Sequence, residues 1–163
     1  MREEWRSEEE AAGADAAEQW RHTRSLCDRL IECMHRGDPV AAVVAGTRFT
    51  GEVVEVSTDL LSLQTYAGRV DVHLADPVPL ALHVVERVKS GGHAGTVSTG
   101  GFRGRLLARE SDGAEVTLGA GVPPELYDGT LRVGSDHVCV VGRGGGEVFL
   151  ALSSVAFVTA RRA

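Results

Sequence analysis

Three cysteines, six histidines and 23 carboxylates carry whatever covalent, metal or acid–base chemistry this chain could perform. Cys27, Cys33 and His35 come nearest to a metal cluster. On a regular helix the step from Cys27 to Cys33 turns the side chain by about 240°, so the two thiols cannot close on one ion. Cys27 and Cys139 read instead as small buried hydrophobes. The histidines, His22, His35, His73, His83, His93 and His137, are dispersed. His73 and His83 could meet across neighbouring strands, but no nucleophile or carboxylate is spaced to complete a catalytic set, and a place on a strand surface suits them better. Asp59 and Asp136 sit in similar turns, and side by side two carboxylates could share a proton as an acid–base pair. In turns of separate cores they would lie far apart, each bonding the local backbone N–H groups. No enzyme activity, metal or cofactor is expected.

The remaining chemistry is cationic. Arginine almost replaces lysine, with Lys89 the one exception. Against a formal net charge of −6, non-specific binding to phosphates is unfavourable, since it depends on cations that displace counterions. Residues 1–38 hold six Arg against ten acids, and residues 39–88 hold three against six. Only residues 102–163 balance, seven against seven. Arg103, Arg105, Arg109, Arg132, Arg143, Arg161 and Arg162 are therefore the candidate nucleic-acid contacts, although interleaved acids and scarce aromatics weaken that reading.

These residues must be held by elements that the hydrophobic period reveals. Residues 1–14 are polar and acidic and read as a disordered tail. From Asp15 the period is helical, through Trp20, Thr23, Cys27, Leu30, Ile31 and Met34, until Gly37 and Pro39 stop it. The period then changes to two. Strands are predicted at 41–44, 49–56, 60–65, 69–74 and 80–85, separated by turn signals such as Ser57-Thr-Asp59 and Ala67-Gly68. Residues 89–101, rich in glycine, predict a flexible linker. Beyond it Ser98 or Thr99 would cap a short helix, 102–110. Strands are predicted again at 115–118, 127–133, 137–141, 147–152 and 155–159.

The second series looks like the first. At an offset of 76 to 78 positions Leu26, Leu30 and Ile31 fall on Phe102, Leu106 and Leu107, and Gly51 falls on Gly129. Asp59 falls on Asp136. A steady offset predicts a duplicated fold. Each copy would be a helix followed by five short antiparallel strands, the composition of a small closed barrel.

The run Phe49-Thr-Gly-Glu-Val-Val-Glu-Val-Ser-Thr-Asp59 resembles the first motif of the Sm-like fold, a glycine in a long bent strand and then an aspartate in the turn. Asp128 to Asp136 is similar to it again, and Glu147 to Phe157 resembles the second motif. The chain also resembles uncharacterised proteins of similar length from high-GC bacteria. The resemblance implies a mainly β, α+β architecture of two tandem Sm-like barrels. The helix and first barrel would occupy 15–88, the linker 89–101, and the short helix and second barrel 102–163. It does not imply the family's RNA pocket. Leu61-Ser62, Val138-Cys139 and Ala151-Leu152 stand where RNA-binding members carry an asparagine or an Arg-Gly pair, and apolar side chains cannot replace those hydrogen bonds.

A non-catalytic binding or scaffolding module with a protein partner is thus expected, the alternative being an RNA- or DNA-binding regulator. Trp5, in a polar segment, is a candidate partner anchor. No apolar run is long enough to span a membrane, no signal sequence is expected from the acidic start, and scattered thiols suit the cytoplasm. Sm-like barrels join through their fourth and fifth strands. Val155, Phe157 and Val158 lack a charged or proline guard, so they should pair either with the first barrel or with a second chain. A homodimer is the favoured expectation, with Pro77 and Pro79 guarding the other fifth strand.

Overall fold

In the computed structural model of the chain, the described residues are 2–74, 80–88, 91–92, 94–97 and 100–161. The expected caps Ser98 and Thr99, the guards Pro77 and Pro79, Lys89, His93 and Arg162 lie outside them.

Helix α1 spans Arg2–Thr23, with Glu3 and Glu4 in its first turn and Arg21 and His22 in its last, charges that oppose the helix dipole. It is exposed along its length. This corrects the expected tail over residues 1–14. It also divides the helix expected to run unbroken from Asp15 to Gly37. The break falls at Arg24-Ser25 because Ser25 starts a new helix, α2 (Leu26–Arg36), with a capping box. The Ser25 hydroxyl accepts from the Asp28 N–H at 3.1 Å and the Asp28 carboxylate accepts from the Ser25 N–H at 2.8 Å. Trp20, expected on the buried stripe, is exposed under the Arg24 guanidinium, 4.2 Å from its ring centroid. Leu30, Cys33 and Met34 of α2 are buried in the core, and Cys27 and Ile31 pack against it partly buried.

The strands are β1 (Val40–Val44), β2 (Thr47–Val56), β3 (Leu60–Thr65), β4 (Gly68–His73), β5 (Leu80–Val84), β6 (Thr96–Val97), β7 (Val116–Ala120), β8 (Glu125–Val133), β9 (His137–Val141), β10 (Glu147–Ala151) and β11 (Val155–Ala160). Helix α3 (Phe102–Asp112) precedes β7, and one 3₁₀ turn, Leu152–Ser154, joins β10 to β11. The protein is mainly β. Its strands form one sheet in the order β10-β9-β8-β7-β11-β4-β3-β2-β1-β5, which does not close on itself. Every neighbouring pair on that path is antiparallel, while β6 lies parallel to the end of β2.

The central joint is β11 on β4, with Phe157 opposite Val72, Val158 opposite Asp71 and Thr159 opposite Val70. Val155, Phe157 and Val158 are buried there. Of the two routes expected for that edge, the chain takes the internal one, so this edge supplies no reason for a homodimer. Two cores lie either side of the joint, and each borrows from the other half. Ala156 and Phe157 of β11 join the core under α2, and Leu60 of β3 joins the core under α3. The Phe157 ring meets Phe49 edge-on at 4.7 Å.

Two glycines permit close approaches between strands. A Cβ on Gly51 would overlap the Gln64 carbonyl, and one on Gly129 would overlap the Val141 carbonyl. Only glycine lets β2 and β8 approach their partners this closely. Two described residues of the expected linker lie close to α2. A Cβ on Gly92 would strike the His35 carbonyl and one on Gly95 the Met34 side chain, so at these two glycines the backbone runs tightly against α2.

Candidate functional site

The polar groups with unusual placement gather where α3 crosses onto β4. Alternation along β4 turns Arg69, Asp71 and His73 to one face of the strand. Asp71 is fully buried. Its carboxylate accepts from Ser62 Oγ at 2.6 Å, Arg69 Nε at 3.2 Å and Arg109 Nη2 at 2.9 Å. Glu55, also buried, takes Nη2 of both Arg69 and Arg105. Arg105 and Arg109 stand one turn apart on α3, so a single helix face brings both guanidinium groups down onto the strand. A buried ion cluster of this kind fixes the seat of a helix more than it adds net stability, because desolvation offsets the attraction.

Above it, His73 is buried with its ring stacked on Phe102, centroids 4.3 Å apart and planes 7° apart. His73 Nδ1 lies 2.8 Å from the Val155 carbonyl oxygen, so Nδ1 carries the proton and donates. Nε2 stands 4.0 Å from Asp59 Oδ2. Burial pushes the imidazole pKa below its usual value, against the opposing pull of the Val155 carbonyl and Asp59. Asp59 Oδ1 accepts the Phe102 backbone N–H at 3.0 Å and lies 3.4 Å from Ser57 Oγ. Asp59 therefore caps α3, whose own N-cap, Gly101, has no side chain to do so.

Serine, aspartate and histidine thus meet, but in an order that cannot relay a proton. In a nucleophilic triad the imidazole stands between hydroxyl and carboxylate. Here the carboxylate stands between, and the histidine's donor is committed to a backbone carbonyl. Among the described residues no group of three His, Cys, Asp or Glu side chains is placed to hold a metal ion.

The family models, the curated proteins and the solved structures contain no match to this chain.

The structure places the nominated arginines as follows. Arg103 Nε donates to the Gly134 carbonyl at 3.0 Å, and Arg105 is in the buried cluster. Arg132 pairs with Glu147 at 3.1 Å. Arg143 and Arg161 converge on Glu115, at 2.9 and 3.1 Å. Arg143 is the main cause of the lowered Glu115 pKa. Each of these five bonds a carboxylate or a backbone carbonyl of the chain. His73 and His83 lie on strands well separated in the sheet, β4 and β5, and His73 is buried rather than on a strand surface. Asp59 and Asp136 are also unlike: Asp59 serves a distant helix, whereas Asp136 is exposed and bonded to its neighbour His137 at 2.9 Å.

Sequence reasoning missed the Glu55–Asp71 cluster. Its signal was the alternation Arg69-Val-Asp71-Val-His73 together with Arg105 and Arg109 at helical spacing. Two open apolar clefts border the same joint. One of about 640 Å³ includes Val44, Ala45, Leu80, Val122 and Pro124. The other, about 720 Å³, includes Phe49, Tyr66, Leu126 and Phe157.

Proposed function

We propose that this chain is a non-catalytic binding or scaffolding module made of two tandem Sm-like units, one ending at β5 and the other beginning at α3. What supports the tandem reading is register. Val40 pairs with Gly51 on one side and Val84 on the other, while Val116 pairs with Gly129 and Ala160. Ser62 faces Asp71 as Cys139 faces Phe149. The two halves of the ladder read in the same strand order, fourth, third, second, first, fifth.

The observation that carries the functional reading is where the charged groups go. Glu55, Asp59, Asp71, His73, Arg105 and Arg109 are all engaged in joining α3 and β11 to β2, β4 and the turn at Asp59. Side chains so engaged are not free for substrate or phosphate. The clefts beside the joint are apolar and suit a protein segment, recognised by burial of side chains such as its Leu or Phe.

The test is isolation of the tagged full chain from its own cells with and without nuclease. A stoichiometric protein that survives nuclease, and is lost on Leu126→Asp or Val122→Asp without change in melting midpoint, supports the module. Nucleic acid at stoichiometric ratio would replace it with the regulator of RNA or DNA.

A further inference from the structure

Helix α1 and the larger of the two clefts are both uncovered, and each carries what the other lacks. The helix is exposed from end to end. It holds seven acids against three arginines, net −4. A helix that buries no stripe depends on ion pairs along its surface or on a partner. His22 meets Glu18 at 3.8 Å near its end. The acids of its first half, Glu3, Glu4, Glu8, Glu9 and Glu10, form no ion pair among the described residues. Glu4 and Glu8 are like charges four residues apart, and Gly13 interrupts the middle, both unfavourable to a helix standing alone. Trp5 is nonetheless carried on it 67% exposed, with Glu9 and Ala12 following on the same face at helical spacing. Trp20 lies beside Asp28, Ile31 and His35 of α2. At 1.5 Å per residue, Trp5 stands about 22 Å further out.

The cleft of about 720 Å³ is a trough across the middle of the sheet. Val70 of β4 and Phe157 of β11, from adjacent strands, are buried in its floor. Strand β2 and the turn at Tyr66 stand on one side of these, β7 and β8 on the other. Tyr66 is 96% exposed and Leu126, facing it from β8, 61%. Two cations line the trough. Arg161 is held by Glu115 and Asp128. Arg48 is exposed and forms no ion pair among the described residues. The trough thus offers an apolar floor with an unmatched positive charge, and α1 offers an aromatic anchor among unmatched negative ones.

We propose that the occupant of this cleft is helix α1 of a second copy, with Trp5 seated between Tyr66 and Leu126 and Glu8 and Glu9 turned to Arg48. This rests on the reading of the clefts as seats for a protein segment, and it names the segment. An aromatic side chain anchoring a helix in an apolar groove is a recurring mode of recognition. Reciprocal exchange fills both clefts about a two-fold axis and closes the assembly at a dimer. No strand edge takes part.

Tryptophan emission tests the exchange. Trp5 and Trp20 are the chain's two tryptophans, so Trp20→Phe leaves Trp5 as the reporter. A donor chain carries Trp20→Phe with Leu126→Asp, which blocks its own cleft. An acceptor chain carries Trp5→Ala with Trp20→Phe, so it is dark and keeps its cleft. The donor alone should emit as tryptophan in water, and added acceptor should shift that emission to the blue. Acceptors that also carry Leu126→Asp or Arg48→Glu should not shift it. Glu8→Arg with Glu9→Arg in the donor should restore the shift with the Arg48→Glu acceptor, which also shows that this acceptor is folded. By light scattering the parent should be a dimer and the Leu126→Asp chain a monomer. No shift at the highest soluble concentration, or a shift that Arg48→Glu leaves whole, overturns the proposal. So does blue Trp5 emission from a monomeric Trp20→Phe chain, which would put α1 in its own cleft. A foreign protein captured through Leu126 or Val122 with no shift between copies removes α1 as the ligand and leaves the binding module standing. A shift between copies with no foreign protein retained leaves the exchange standing and removes the outside partner.

Discussion

The Asp59 carboxylate accepts the backbone N–H of Phe102, 43 positions further along the chain, at 3.0 Å. Together with the His73–Phe102 stack, this bond ties the start of one half's helix to a turn of the other. Losing a cap of this type costs about 0.5–2 kcal/mol. Asp59→Ala should therefore lower the melting midpoint and speed hydrogen exchange of the first-turn amides of α3, Phe102 above all. Unchanged exchange there would show that the cap is not made in solution.

Asp71 is the acceptor on which Ser62, Arg69 and Arg109 converge. Removing one partner from a buried ion cluster leaves uncompensated charge and costs about 3–5 kcal/mol. Asp71→Ala should lose that much in urea unfolding, whereas the double change Asp71→Leu with Arg109→Leu should recover most of it. A double variant no more stable than the single one contradicts the pairing.

Acid should weaken the fold in two separate ranges, the upper one at the joint. Burial holds the His73 pKa below the usual 6.5. The unfolded chain then takes up a proton first as pH falls below about 6.5, so stability is full above that value and declines below it. Glu32 and Glu115 are held below the usual 4.5, Glu32 chiefly by its bond from Arg24 and Glu115 by that from Arg143, so their losses come at lower pH. Melting midpoints across pH should show both declines, and His73→Asn should abolish the upper one. An upper decline that survives in the variant has another source.

Much of the secondary structure was legible because it rests on local rules. β3 and β9 begin and end where the two-residue period and its turn signals put them, and the glycine signal at Gly37 ends α2. What could not be read depends on partners distant in sequence. Nothing local distinguishes Asp59 from Asp136, yet one caps α3 and the other faces solvent. Arg105, Arg109, Arg132, Arg143 and Arg161, which composition marked for phosphate, bond carboxylates instead, and a contact between residues 38 positions apart, such as Arg109 with Asp71, leaves no local trace. Helix α1 escaped for the opposite reason. It buries no stripe, so hydrophobic periodicity had nothing to report.

Gly51 and Gly129 should be equally intolerant of a methyl group, since each faces a strand carbonyl. Overpacking of this kind costs about 1–3 kcal/mol. Gly51→Ala and Gly129→Ala should each lower the urea midpoint by a comparable amount. If one is silent, the two close approaches are not alike.

Binding to short RNA or duplex DNA at physiological salt should be no tighter than about 10⁻⁴ M. Arg103, Arg105, Arg132, Arg143 and Arg161 all bond within the chain. A tight sequence-selective complex in a shift assay would show these pairs open for phosphate.

The β4 edge waits for a strand made much later: 82 positions separate His73 from the Val155 carbonyl that it bonds. At roughly 5–20 residues per second on the ribosome, that edge stays uncovered for about 4–16 s after β4 has emerged. Its apolar neighbours Val70 and Val72 are available to any other strand during that time. The nascent chain thus has a vulnerable interval that the finished protein does not, and slowing or stalling translation between β5 and β11 would lengthen it.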